Sequence, residues 1–194
     1  RIETVEGLEL TFATHVVGPF LLTQLLRDAL AASPDGRVVW VSSGGMYTQR
    51  LDLDDVAWRG RAYDGVKAYA QTKRAQVILA ELFAEELRSA GIVVNAMHPG
   101  WADTPGVRTS LPGFHRLTRP FLRTPAEGAD TIVWLAASAR GRDHTGRFFL
   151  DREPRRTHLV PFTRESAEER AALWSMCRRL AALDAGGRRD RMTG

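Results

Sequence analysis

The sequence lacks several features that would place it in common classes of protein. Its single cysteine, Cys177, rules out an internal disulfide framework and favours a reducing compartment, which we expect to be the cytoplasm. No apolar run approaches the roughly 20 residues that a membrane span requires, and no signal peptide is visible. The first residue is arginine rather than methionine, so we expect a truncated or trimmed chain.

Charge and composition exclude further classes. The net charge of +4 comes with dispersed arginines that are not grouped with stacking aromatics, so we expect no nucleic-acid binding. The aspartates near residues 52–55 could suggest a cation site, but a solvated loop is the simpler interpretation, and no metal site is predicted. A length of 194 residues suits one domain with a sizeable core. We predict that residues 1–184 form this domain and that residues 185–194 are a disordered tail.

Two short apolar runs predict parallel strands. The first, within residues 37–45, ends in serines and glycines, and the second, within residues 91–100, ends in Pro-Gly. A helix between them makes a right-handed crossover, so both strand ends lie at the same edge of the sheet. In open α/β sheets that edge binds the ligand.

The helix between these strands carries a candidate acid/base pair. Tyr69 and Lys73 are four residues apart and share one helix face, and the apolar residues that follow predict a buried side. The positive charge of Lys73 favours the tyrosinate, which would make Tyr69 a usable general acid/base near neutral pH. Taken alone, the pair is more typical of a solvated helix face.

The other elements follow from periodicity and capping signals. They are a helix over residues 5–32 kinked at Gly18-Pro19, a loop over 105–124 that would serve as a lid or binding wall, a helix opened by Thr124 and Pro125, a strand over 148–150, and a helix over 164–183.

Three segments, in this order, resemble the motifs of the short-chain dehydrogenase/reductase family: Val41-Ser42-Ser43, Tyr69-x-x-x-Lys73, and His98-Pro99-Gly100-Trp101-Ala102-Asp103-Thr104. Residues 12–23 resemble the helix that precedes the serine strand in this family. The long loop between serine and tyrosine and the His-Pro-Gly form resemble its retinol-dehydrogenase-like branch. The resemblance covers roughly residues 5–155, and it implies an α/β fold with a Rossmann-like, doubly wound parallel sheet.

The resemblance also implies an oxidoreductase that acts on a carbonyl or a secondary alcohol. Tyr69 would protonate the carbonyl oxygen during reduction, or act as the base during alcohol oxidation. Lys73 would support the phenol and bind the nicotinamide ribose. Ser43 would orient the substrate oxygen, whereas Ser42 is interpreted as a strand-end hydroxyl.

The cofactor implied by the resemblance is NAD or NADP, and the sequence does not distinguish them. Pro99, Gly100 and Thr104 would hold the nicotinamide carboxamide, while Tyr69 and Lys73 would lie beside the ribose. The protein would supply orientation and proton handling, and the cofactor would carry the hydride.

Position 15 departs from the family pattern. On the helix before the serine strand, family members carry an asparagine where this chain has His15. In the family that residue supports a water-mediated proton path behind the lysine, so His15 is a candidate catalytic residue as a substitute relay. The alternative is a packed helical histidine. His98 is interpreted as structural, because the Pro-Gly turn needs only a strand end before it.

One motif of dinucleotide-binding folds is absent from the sequence. No G-x-G-x-x-G turn joins a strand to a helix, although this element normally binds the pyrophosphate. We therefore expect that the N-terminal cofactor-binding half of the fold is missing and that the isolated chain is inactive and binds no dinucleotide tightly. The alternative is a non-catalytic fragment or pseudoenzyme that acts, if at all, through protein association.

The expected partner is a small carbonyl or alcohol substrate. Four apolar residues after the second strand favour a lipophilic substrate, although core or surface packing explains them as readily: Trp101, Leu111, Phe114 and Phe121. A homo-oligomer is compatible with the sequence. The missing strands predict an exposed sheet edge.

Overall fold

A computed structural model describes residues 1–103 and 122–182 of the protein. Within them, three parallel strands and one antiparallel strand form a sheet in the order β1-β2-β3-β4. The strands are β1 (Arg37–Val41), β2 (Val93–Met97), β3 (Phe148–Leu150) and β4 (Glu153–Arg155). The predicted α/β class with a mostly parallel sheet is therefore confirmed.

Seven α-helical segments are seen in the described residues. They are α1 (Leu10–Phe12), α2 (Gly18–Leu25), α3 (Arg27–Ala32), α4 (Gly65–Glu86), α5 (Pro125–Ala137), α6 (Ala139–Arg142) and α7 (Ala167–Leu180). A π-helical turn (Ala13–Val17) joins α1 to α2, and 3₁₀ turns cover Gly44–Thr48, Arg88–Ala90 and Pro161–Thr163.

Helices cover both faces of the sheet. Neighbouring residues of a strand point to opposite faces, so each face carries apolar side chains that a helix can bury. On one face, buried residues of β1 and β2 form the larger core together with α1, α2, α4 and α7. Phe20, Phe83 and Trp174 pack ring to ring at its centre, with centroids 4.8–5.1 Å apart. On the other face, Met97 and Phe149 pack against α5 in a smaller core.

The first helix is shorter than the sequence predicts and has a different irregularity. It begins at Leu10 rather than near residue 5, because the carboxylate of Glu9 accepts the N–H groups of Thr11 (3.0 Å) and Phe12 (2.8 Å) and caps it. At the predicted kink, a π-helical turn ends at Val17, directly before Gly18-Pro19, and the helix breaks again at Leu26.

Two further differences concern the sheet. We predicted a buried first strand, but Arg37, Val38 and Val39 are half-buried. Among the described residues, β1 is the edge strand of the sheet and pairs only with β2. The antiparallel β4 was not predicted. The last helix covers Ala167–Leu180 rather than 164–183, since Ser166 forms a capping box with the third residue of the helix.

Candidate active site

The long helix α4 places Tyr69 beside Lys73. The side chain of Tyr69 is 39% exposed, whereas Lys73 is 8% exposed. The Lys73 Nζ lies 5.4 Å from the centroid of the Tyr69 ring and donates to the carbonyl oxygen of Val41, the last residue of β1, at 3.0 Å. Burial lowers the pKa of Lys73 from 10.5 to about 8. The two candidate residues therefore lie together at the carboxyl end of a parallel strand.

The two serines after β1 have different environments. The hydroxyl of Ser42 is buried and donates to the backbone carbonyl of Lys73 at 2.8 Å, so it fastens the strand end to α4. Ser43 is half-buried at the start of the 3₁₀ turn, where its Oγ accepts the N–H of Gly45 at 3.3 Å. The first hydroxyl is thus used within the fold, while the second lies at the open end of the strand.

His15 contacts the candidate pair from the π-helical turn. Its Nδ1 lies 3.1 Å from the Oγ1 of Thr72, and its ring meets the Tyr69 ring edge to face at 5.5 Å. Thr72 gives its one hydroxyl proton to the carbonyl of Tyr69 (2.7 Å), so Nδ1 of His15 must be the donor. Burial, together with the charge of Lys73, lowers the pKa of His15 to about 4. The imidazole is therefore neutral near pH 7.

The end of β2 reaches the same edge of the sheet. A Cβ placed on Gly44 would lie 3.7 Å from Cε1 of His98, which shows how near the two strand ends are. His98 stacks on Phe148, with centroids 5.5 Å apart, and its Nδ1 accepts the N–H of Gly100 at 3.2 Å. Burial lowers the pKa of His98. These contacts agree with the structural interpretation of this histidine.

A charged residue that the sequence did not indicate holds the Pro-Gly turn. Gly100 has a φ of +74°, and a Cβ there would lie 2.8 Å from the guanidinium carbon of Arg123. The guanidinium of Arg123 donates to the carboxylate of Asp151 at 2.8 Å, and the backbone N–H of Arg123 donates to the carbonyl of Trp101 at 2.8 Å. The turn is therefore fastened to the loop after β3 by a residue 23 positions further along the chain.

Comparison with known proteins identifies the family. The chain is 48% identical to the bovine dehydrogenase/reductase SDR family member 12 over 165 residues, which cover 84% of this chain and 51% of that protein. It is 32% identical to human retinol dehydrogenase 13, over 96% of this chain and 58% of that protein. The chain belongs to the short-chain dehydrogenase/reductase family. It spans about half the length of the curated relatives that it matches.

Structural comparison gives the same answer for the fold of this short-chain dehydrogenase/reductase. An uncharacterized protein from Mycobacterium paratuberculosis superposes with a TM-score of 0.68 at 28% identity, covering 92% of this chain and 61% of that one. No family model matches the sequence.

Several predicted residues of this family member lie outside the described residues. Thr104 and residues 105–121 of the loop predicted as a lid are among them, and these include Leu111, Phe114 and Phe121; the tail at 185–194 is also outside. Trp101 is described and is 51% exposed. In residues 1–103 and 122–182, no group of three metal-ligating side chains is found, and no helix is long and apolar enough to cross a membrane.

A buried arginine on α4 was also missed. Arg74 follows Lys73 directly on α4, is fully buried, and donates to the carbonyl of Thr157 at 2.8 Å. Tyr47 donates to the carbonyl of Arg156 at 2.7 Å. The segment after β4 is therefore held against α4 and against the 3₁₀ turn Gly44–Thr48. Spacing in the sequence gives no signal for contacts across 83 and 109 residues.

Proposed function

We propose that this chain is the catalytic part of an NAD(P)-dependent oxidoreductase that interconverts a carbonyl and a secondary alcohol, with Tyr69 as the general acid/base. The observation that carries the proposal is the partly exposed phenol beside a buried lysine ammonium at the carboxyl edge of the sheet. Membership of the short-chain dehydrogenase/reductase family supports it.

Each residue has a distinct part in this proposal. Tyr69 would donate its proton to the carbonyl oxygen during reduction, and take the proton from the alcohol during oxidation. Ser43 would hold the same oxygen by a hydrogen bond. Lys73 would place a positive charge next to the phenolic ring, from which its Nζ is 5.4 Å away.

The residues present fit the nicotinamide end of such a cofactor. The ammonium of Lys73 has three N–H groups, and two of them are bound by acceptors in the described part of the chain, so one remains for a ribose hydroxyl. Pro99 and Gly100 would hold the carboxamide end together with Thr104. When bound, the cofactor supplies or accepts the hydride.

The substrate proposed is a small carbonyl or alcohol. Exposed Trp101 beside Gly100 favours a lipophilic one. We place the protein in the cytoplasm as part of the same proposal, because its single cysteine, Cys177, is a free thiol, as is typical of proteins in a reducing compartment.

Two measurements test the proposed function. NADH and NADPH are first titrated into the 194-residue chain by fluorescence, and we expect no micromolar binding, since no glycine-rich turn supplies backbone amides for the pyrophosphate. In a form of the protein that does bind one of them, Tyr69→Phe should lower turnover on a panel of carbonyls by about two to four powers of ten.

Tyr63→Phe is the matched control for that variant, because Tyr63 also carries an accessible phenol but hydrogen-bonds to Glu9 at 3.1 Å. If the Tyr69→Phe form keeps most of its activity, the assigned acid/base role is wrong. If a cofactor-binding form shows no turnover at all, the alternative of a non-catalytic protein that acts through association is favoured.

A further inference from the structure

A buried glutamine links Lys73 to the first helix. Gln76 lies one turn after Lys73 on α4 and is 5% exposed. Its Nε2 donates to the carbonyl oxygen of His15 at 2.8 Å, and its Oε1 accepts from the Nζ of Lys73 at 2.9 Å. The opposite orientation would set the amide NH₂ against an ammonium and the amide oxygen against a carbonyl. The partners therefore fix which end of the amide faces Lys73.

The carbonyl of His15 is available for this contact because of a proline. In an α-helix the carbonyl of residue 15 would accept the N–H of residue 19, but Pro19 has no N–H. The π-helical turn lies at the same place, over Ala13–Val17. The side chain of Gln76 supplies the donor that Pro19 lacks, and this contact points its oxygen at Lys73.

Gln76 occupies one of the three donor directions of the Lys73 ammonium. The carbonyl of Val41 occupies a second at 3.0 Å, which leaves one N–H for a ligand among the described contacts. The ionisable groups that face Lys73 are Tyr69 on its own helix and His15 on the first helix, while β1 presents only the Val41 carbonyl. His15 is neutral near pH 7, so neither the amide nor the imidazole brings a compensating negative charge.

We propose that Gln76 is a positioning residue: with its amide held by the His15 carbonyl, it fixes the Lys73 ammonium so that the remaining N–H points to the cofactor side. The contacts are independent of any reaction, but the catalytic consequence rests on the proposed function. The simpler alternative is that Gln76 only satisfies the buried His15 carbonyl. That alternative predicts no effect on the ammonium of Lys73.

The lysine content of the chain makes the test direct. The sequence has only two lysines, Lys67 and Lys73, so ¹³C-labelled lysine gives two side-chain signals that can be followed by NMR from pH 6 to 11. Lys67 is exposed on the same helix and serves as the internal reference. Gln76→Met keeps the side-chain volume but removes both hydrogen bonds, whereas Gln76→Glu places a carboxylate beside Lys73. Gln71→Met is the matched control on α4.

The two variants at position 76 should shift the Lys73 titration in opposite directions. Loss of an acceptor disfavours the charged amine, so Gln76→Met should lower the midpoint by about one pH unit, and the carboxylate of Gln76→Glu should raise it by at least as much. Gln71→Met should leave it unchanged, because the amide of Gln71 donates to Asp52 instead. The same Lys73 midpoint in wild type and Gln76→Met would overturn the proposal.

A second variant keeps the test decisive if Gln76→Met does not fold. Gln76→Glu keeps an oxygen in reach of the Lys73 Nζ and makes it a carboxylate, so the Lys73 midpoint should rise. An unchanged midpoint in folded Gln76→Glu would also overturn the proposal, because residue 76 would then not contact the ammonium of Lys73.

An activity measurement separates this inference from the proposed function. In a form with Tyr69-dependent turnover, Gln76→Met should lower kcat/KM at least tenfold at pH 7, and the alkaline limb of its pH–rate profile should move with the Lys73 midpoint. If the midpoints shift as expected but Tyr69→Phe has no effect on turnover, the proposed function fails while the positioning role of Gln76 stands. If the limb does not move although the midpoint does, Gln76 does not position Lys73 for catalysis.

Discussion

The buried ammonium of Lys73 should make the stability of the fold depend on pH in a defined direction. Burial lowers its pKa from 10.5 to about 8. Below pH 8 the folded protein therefore carries a charged buried amine at a cost of about 3 kcal/mol. Between the two pKa values the unfolded chain binds more protons than the folded one, so the free energy of unfolding rises with pH.

The comparison of wild type with Lys73→Met isolates this contribution. Lys73→Met also loses the hydrogen bonds to Val41 and Gln76, which lowers its free energy of unfolding by nearly the same amount at every pH. Between pH 7.5 and 10, the free energy of unfolding of the wild type should rise by about 2 kcal/mol more than that of the variant. Urea denaturation followed by the fluorescence of the five tryptophans measures it.

Lys67→Met is the matched control, because it removes an exposed amine from the same helix and corrects for the loss of one positive charge. Curves of wild type and Lys73→Met that run parallel within about 0.5 kcal/mol over this range would refute the reasoning. The Lys73 amine would then be as easily protonated in the folded as in the unfolded chain.

Two more predictions follow from the strand ends and the π-helical turn. Gly100→Ala should lower the free energy of unfolding by about 1 kcal/mol more than Gly91→Ala in urea denaturation. Both glycines have φ near +70°, but a Cβ at Gly100 would displace Arg123, whereas one at Gly91 meets no described atom within 4 Å. Equal losses would contradict the clash. His15→Asn should leave the pH–rate profile of a cofactor-binding form unchanged between pH 5.5 and 8, because burial lowers the pKa of His15 to about 4. An inflection near pH 6.5 that disappears in the variant would show that His15 is a relay.

Local sequence was sufficient wherever a feature depends on neighbours along the chain. The spacing of Tyr69 and Lys73 placed them on one helix face, and the apolar runs ending in serine or Pro-Gly placed two strand ends at one edge. The cap of α5 by Thr124 was predicted for the same reason, since capping involves residues within one turn. Such features need no knowledge of what packs against them.

Other local expectations failed because distant contacts decided them. The first strand is half-buried rather than buried, since burial depends on what pairs with its far side. The helix start moved to Leu10 because Glu9 is buried and caps it, which hydrophobic periodicity does not reveal. The hairpin after β3 was missed because Asp151 and Arg152 adopt positive φ angles without the glycine that usually signals such a turn.

The sequence by itself determined the class of fold, the family, and the candidate pair on one helix, because each is written in short-range patterns. Only the tertiary structure decided how that pair is supported. Gln76 meets His15 across 61 residues, and Ser42 meets the carbonyl of Lys73 across 31. Their hydrogen bonds, and the low pKa values of the buried amine and imidazole, arise from desolvation and from partners that only packing brings together.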